Sequence, residues 1–139
     1  MHELAYDKPL PEPSQLSKPY WDALHAHRLV LQCCRRCHLV RHYPRPVCAQ
    51  CYAMDYDWIK ASGRGTVHSW STYHHPFHFA FKRDMPYVVL TVDLAEGVRL
   101  QGPLRGADAS ALALGAPVEV VYEDVTADIT LPAFRLVDG

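Results

Sequence analysis

The sequence predicts a mainly β chain built as an N-terminal helix, a metal-stapled ribbon and a five-stranded barrel. Three observations carry this. Two C-x2-C pairs, Cys34/Cys37 and Cys48/Cys51, stand ten residues apart. Five short β-like runs follow Gly63, separated by turn signals. Tyr20, Trp21 and Leu24 lie at helical spacing ahead of the first cysteine pair.

Residues 1–16 contain Pro9, Pro11 and Pro13 among polar residues and read as an extended or disordered arm. Ser17 is the expected N-cap of a helix over 18–27. Pro19 falls in its first turn, where a missing N–H costs little. Tyr20 and Trp21 give this helix an aromatic face. It either covers the ribbon and sheet or meets a partner.

Leu29–Gln32 reads as a strand entering the first cysteine pair. Val40–Tyr43 is its return, stopped by Pro44 and Pro46. Two such pairs on turns bring Cys34, Cys37, Cys48 and Cys51 to the corners of a tetrahedron around one structural zinc ion. An i,i+3 pair on a tight turn is better placed to chelate than to form a disulfide. Cys33 could shift the register by one residue. Cys34 keeps the two-residue spacing, which leaves Cys33 as a small apolar residue. Residues 28–51 carry five arginines and no acidic residue. They are either solvated or a site for phosphates, with Arg35, Arg36 and Arg41 as the candidates to contact a nucleotide-bearing cofactor.

Gly63-Arg64-Gly65 marks the junction between a helix-and-ribbon unit, residues 17–60, and a barrel unit, residues 61–139. The barrel strands are expected at Thr66–Tyr73, Tyr87–Leu94, Val98–Gln101, Val118–Tyr122 and Phe134–Val137. Ala95-Glu96-Gly97 is a hairpin turn, and a short helical crossing, Ala107–Leu114, precedes the fourth strand. Five strands with a small helix between the third and fourth indicate a Greek-key OB-fold. The loop 74–86 is dense in aromatics and histidines. Phe77, Phe79 and Phe81 either extend a strand or form a flap that orders against a partner. His74, His75 and His78 lack a convincing fourth metal ligand.

The net charge is −1 over 139 residues. That excludes a uniformly basic polyanion binder. Residues 61–139 hold six Lys+Arg against nine Asp+Glu, so the barrel opposes nucleic acid. A single-stranded nucleic-acid module remains the alternative, because OB-folds stack bases on aromatics beside a basic groove. Thiolate-rich metal sites fit a reducing compartment, and a cytoplasmic location is expected. The sequence shows no G-x-S-x-G elbow, no P-loop and no dinucleotide fingerprint, so no self-contained catalytic set can be assembled.

Several stretches together resemble a known family. They are Pro19-Tyr20-Trp21, the two knuckles with Tyr43-Pro44-Arg45 between them, Ser62-Gly63-Arg64-Gly65-Thr66-Val67 and Pro86-Tyr87-Val88-Val89. Asp93-Leu94, Gly115 with Pro117-Val118, and Leu131-Pro132-Ala133-Phe134 complete the match. The chain, from about residue 16 to 137, is similar to proteins that join a rubredoxin-like zinc ribbon to an OB-fold and accompany thiolases and other acyl-CoA enzymes. The resemblance implies an auxiliary, non-catalytic subunit of a hetero-oligomer with a thiolase-fold enzyme. That enzyme would be a thiolase, aldolase or acyltransferase. It also implies a part in an acyl-CoA channel, with a coenzyme A thioester bound jointly with the partner. Docking would use Tyr20, Trp21, Phe77, Phe79 and Phe81. One departure is that His38 and Tyr52 replace the glycine usual after each knuckle, which is expected to weaken the turns locally.

Overall fold

The structure, a computed structural model, describes residues 6, 8–76 and 78–137. The chain order is α1 (Lys18–His25), β1 (Val30–Cys34), β2 (Val40–Arg41), β3 (Tyr56–Lys60), β4 (Arg64–Tyr73), β5 (Tyr87–Leu94), β6 (Arg99–Pro103), β7 (Pro117–Asp124) and β8 (Thr130–Leu136). Two 3-10 turns, Phe79–Asp84 and Ala109–Ala111, interrupt the second half. No helix among the described residues is long and apolar enough to cross a membrane.

Helix α1 ends two residues earlier than expected, and Ser17 does not cap it with its side chain. Ser17 Oγ instead accepts the Ser14 N–H at 2.9 Å, and Lys18 N–H donates to the Ser14 carbonyl at 2.8 Å. The preceding turn thus supplies the partners that a cap would have given. At the other end His27 takes a positive φ of 57°, while Arg28 N–H returns to the Ala23 carbonyl at 2.8 Å. The helix therefore stops where its apolar face ends.

The ribbon is a three-stranded sheet in the order β2-β1-β3. Its return strand is shorter than the expected Val40–Tyr43 and pairs only Gln32 with Arg41 and Cys33 with Val40. Strand β3 was not anticipated. It pairs along the whole of β1, from Val30 with Lys60 to Cys34 with Tyr56.

The second sheet runs β6-β5-β4-β7-β8, antiparallel throughout. It curls until Leu104, just past β6, forms a parallel bridge with Phe134 on β8. This is the expected OB-fold-like arrangement, with its seam between β6 and β8. Alternation drives it: Leu90, Val92 and Leu94 of β5 are buried while the residues between them are not. Gly97, at φ 89°, lets the β5–β6 hairpin turn. Gly65 lies so close to the Asp93 carbonyl and Val92 that a Cβ there would collide with them.

One apolar core joins the two units. Tyr20 and Leu24 of the helix and Leu29 and Leu31 of the ribbon pack in the same cluster as Ala61, Val67, Leu90, Val92, Val118 and Phe134. Each fully buried leucine contributes about 2 kcal/mol of transfer free energy, so the helix anchors the ribbon to the barrel. Polar clasps reinforce the junction. Glu96 in the hairpin accepts the Ser62 N–H at 3.0 Å. His27 meets Asp124 at 3.0 Å and stacks on Tyr122 at 5.3 Å.

Candidate metal centre

The sequence forms two matching turns. Cys34 N–H donates to the Leu39 carbonyl and His38 N–H to the Cys34 carbonyl, at 2.9 and 3.0 Å. In the second turn Cys48 N–H donates to Ala53 and Tyr52 N–H to Cys48, at the same distances. Backbone amides also approach the sulfurs. Cys37 N–H lies 3.5 Å from Cys34 Sγ and Gln50 N–H lies 3.4 Å from Cys48 Sγ. His38 and Tyr52 keep these turns despite their side chains, at φ 64° and 63°. The departure from glycine leaves the turn shape intact and places two side chains in a left-handed conformation they disfavour.

The turns bring the four sulfurs of Cys34, Cys37, Cys48 and Cys51 within 4.8 Å of one another. Cys34–Cys51 and Cys37–Cys48 are 3.5 and 3.6 Å apart. Metal–sulfur bonds of about 2.3 Å place tetrahedral corners roughly 3.8 Å apart, so these two pairs need open only slightly, and any wider ones close, to hold one ion. Four thiolates select a soft or borderline cation over calcium or magnesium. The thiols are already polarised. The Cys37 N–H, above all, holds Cys34 down to about 6, and the Cys51 N–H lowers Cys48. At Cys37 the Leu39 amide pulls downward, but burial and the sulfurs of Cys48, Cys51 and Cys34 push the thiol up to about 12. Metal binding at Cys37 therefore competes with a proton. Cys33 Sγ faces the carbonyls of Cys34 and His38 at 3.9 and 3.6 Å and stands outside the cluster.

The arginines of the ribbon divide by environment. Arg41 does not face outward, which corrects its assignment as a phosphate contact. It is 8 % exposed, donates to Gln32 Oε1 at 2.8 Å and to the Arg45 carbonyl at 2.9 Å, and lies over the Tyr56 ring at 5.3 Å. Strand β3, missed in the sequence, supplies that ring. Arg35 is exposed and held by Asp57 at 2.8 Å. Arg36 is exposed and makes no ion pair among the described residues.

The aromatic residues also divide. Tyr20 is 5 % exposed and belongs to the core, which corrects its placement on a docking face. Its ring lies edge-on to Trp21 at 5.2 Å. Trp21 is half-buried and lines a 440 Å³ groove with Tyr43, Pro44, Gln101, Pro103 and Pro132, at the β6–β8 seam. Phe77 lies outside the described residues. Phe79 and Phe81 do not share the face of an extended strand. They sit in a 3-10 turn that His78 starts, its Nδ1 accepting the Ala80 N–H at 3.1 Å. Phe79 is 75 % exposed. Phe81 packs near Tyr87 at 5.7 Å beneath the Lys8 ammonium, which pairs with Asp84. Lys8, Phe81, Tyr87, Arg105, Glu123 and Leu131 line a second cavity of 480 Å³ on the outer barrel face.

Comparison with known proteins agrees with this architecture. Residues 21–56 match the family model of the ChsH2 rubredoxin-like zinc ribbon domain, and residues 58–123 match that of the ChsH2 C-terminal OB-fold domain. A probable enoyl-CoA hydratase alpha subunit of Thermomonospora curvata is 38% identical over 92% of this chain. The chain spans 40% of that relative's length. A DUF35 domain-containing scaffold protein of Methanothermobacter thermautotrophicus is 33% identical over 66% of this chain and 69% of its own. Among solved structures, a chain of the Ltp2-ChsH2(DUF35) aldolase superposes with a TM-score of 0.83 at 38% identity. The match covers 91% of this chain and 98% of that one.

Proposed function

The chain belongs to the DUF35 family of ChsH2-type zinc-ribbon and OB-fold proteins, and on that premise we propose that it is an auxiliary, non-catalytic subunit of a thiolase-fold enzyme handling acyl-CoA thioesters. The observation that carries this reading is the near-complete match to a chain of the Ltp2-ChsH2(DUF35) aldolase. A hydratase alpha subunit and a scaffold protein among the relatives support the same class of role.

In this reading one zinc ion binds Cys34, Cys37, Cys48 and Cys51. Four thiolates complete its coordination and leave no position for water, so its work is structural. It staples a ribbon too small to fold on its own core. The partner covers Trp21, Phe79 and Phe81, joined by Phe77. The groove at the barrel seam and the cavity on the outer face contribute walls to a shared acyl-CoA channel. Arg36, with Arg35 once Asp57 releases it, meets the coenzyme A phosphates as a charge-assisted donor.

The test is association. The zinc-loaded chain mixed with the thiolase-fold subunit of its own host should give a hetero-oligomer of defined mass. Two separate species at micromolar concentrations would count against the reading.

A further inference from the structure

The cavity on the outer barrel face is covered by the chain itself. Its floor is apolar and belongs to the barrel, with Val89, Val125, Leu131 and Pro132. Its opposite wall is the N-terminal arm, through Tyr6, Lys8 and Pro9. The arm is held there by a side chain. The Lys8 ammonium pairs with Asp84 and lies 5.3 Å over the Phe81 ring, which leaves the Lys8 side chain 17 % exposed. Arg105, also facing the cavity, donates to Glu123 at 2.7 and 3.1 Å, so the two cations have separate carboxylate partners.

The backbone does not secure the arm. Among the described residues, no backbone hydrogen bond ties residues 8–13 to the barrel. Pro9, Pro11 and Pro13 have no N–H to give, which keeps the segment from joining the sheet as a strand. Pro9 and Leu10 are exposed rather than packed. The arm is fixed again at Ser14 and Ser17, whose hydroxyls each accept the other's N–H, at 2.9 and 3.1 Å. Ser17 lines the groove at the barrel seam, and Pro103, Leu131 and Pro132 line both hollows. The arm thus reaches from one hollow to the other, hinged at the serines and latched at Lys8. A partly exposed ion pair and one cation–π contact are weak in water, so the closed and open arms lie close in free energy.

We propose that the segment carrying Tyr6, Lys8 and Pro9 is a removable strap, latched by Lys8 on Asp84 and Phe81, whose release opens the cavity to the apolar part of an acyl ligand. The acyl ligand rests on the acyl-CoA reading above, whereas the strap rests on the Lys8 contacts alone.

Two assays on the isolated zinc-loaded chain test this. The first is the rate at which an N-hydroxysuccinimide ester acylates each lysine, read by mass spectrometry. Lys8 should react several times more slowly than exposed Lys60, and Asp84→Asn should remove most of that difference. Equal rates in the wild type would overturn the latch. The second is binding of Nile red, an uncharged apolar dye. Lys8→Gln and Asp84→Asn should each bind it roughly threefold more tightly than wild type, because a larger fraction of the chain is open. That gain should shrink as salt weakens the wild-type ion pair. Val125→Trp, which fills the floor, should abolish the gain in the Lys8→Gln chain. Equal or weaker binding in either latch variant would overturn the strap and make the arm a fixed wall. A gain that survives Val125→Trp would overturn the cavity as what the strap covers. Octanoyl-CoA should displace the dye from Lys8→Gln; dye that stays bound would overturn the acyl ligand and leave the strap standing. The association experiment decides the subunit role separately, so a failed strap leaves that role in place.

Discussion

His38→Gly should make this protein more stable. His38 occupies the left-handed region at φ 64°. That conformation costs a non-glycine residue roughly 1–2 kcal/mol. Glycine removes the cost but makes the unfolded chain more flexible, which offsets about 0.5–1 kcal/mol. The His38 side chain is exposed and makes no hydrogen bond among the described residues, so little else is lost. The net gain is about 0.5–1 kcal/mol, or roughly 1–4 °C in Tm for a chain of this size. The assay is thermal unfolding of the zinc-loaded protein followed by circular dichroism. Arg36→Gly is the control, because Arg36 lies in the same knuckle without a positive φ. It should lose about 0.5–1 kcal/mol. A fall in Tm for His38→Gly equal to that of the control would refute the account of knuckle strain.

Further outcomes follow from the same structure. Cys48→Ser should lose the metal and the exchange protection of β1–β3, since metal binding here is folding free energy. Cys33→Ser should retain both, because its sulfur faces backbone carbonyls outside the cluster. Metal loss in Cys33→Ser would move the ligand register. Burial lowers His42 to about 4, and its Nε2 has no hydrogen-bond partner among the described residues. Below its ordinary value the unfolded chain takes up a proton that the folded chain refuses. This contribution is therefore complete above about pH 6.5 and declines as pH falls toward 4, by about 2 kcal/mol between pH 7 and pH 5. Denaturant titrations of wild type and His42→Phe should show a flatter pH dependence in the variant; equal slopes would remove His42 as the cause.

The gathering of the four cysteines and most of the barrel strands were legible because each rests on a strict local rule. C-x2-C spacing fixes a chelating turn, and the alternation of Leu90, Val92 and Leu94 fixes which face of β5 is buried. What stayed hidden depended on contacts distant in sequence. Strand β3 has three aromatic or β-branched residues in five but lies among Asp55, Asp57 and Lys60, and only pairing with β1 makes it a strand. Arg41 reads as one of several surface arginines. Its burial is decided by Gln32 across the ladder and Tyr56 on β3. Tyr20 and Trp21 are adjacent and similar, yet a turn of about 100° per residue sends one into the core and the other to its rim. In the aromatic loop, alternation left a strand extension and a flap both open, and a histidine bonding two residues ahead starts a 3-10 turn rather than a strand. The glycine usual after each knuckle came from the family resemblance, since this sequence has His38 and Tyr52 there. That His38 and Tyr52 would keep the turn at the cost of strain was not visible in the sequence.

The most direct measurement of the central claim is acyl-CoA turnover by the host's thiolase-fold subunit, alone and with one equivalent of this chain. The account predicts that the chain alone gives no turnover and that adding it raises the turnover of the partner. Turnover by the purified chain itself, or identical partner activity with and without it, would contradict the account.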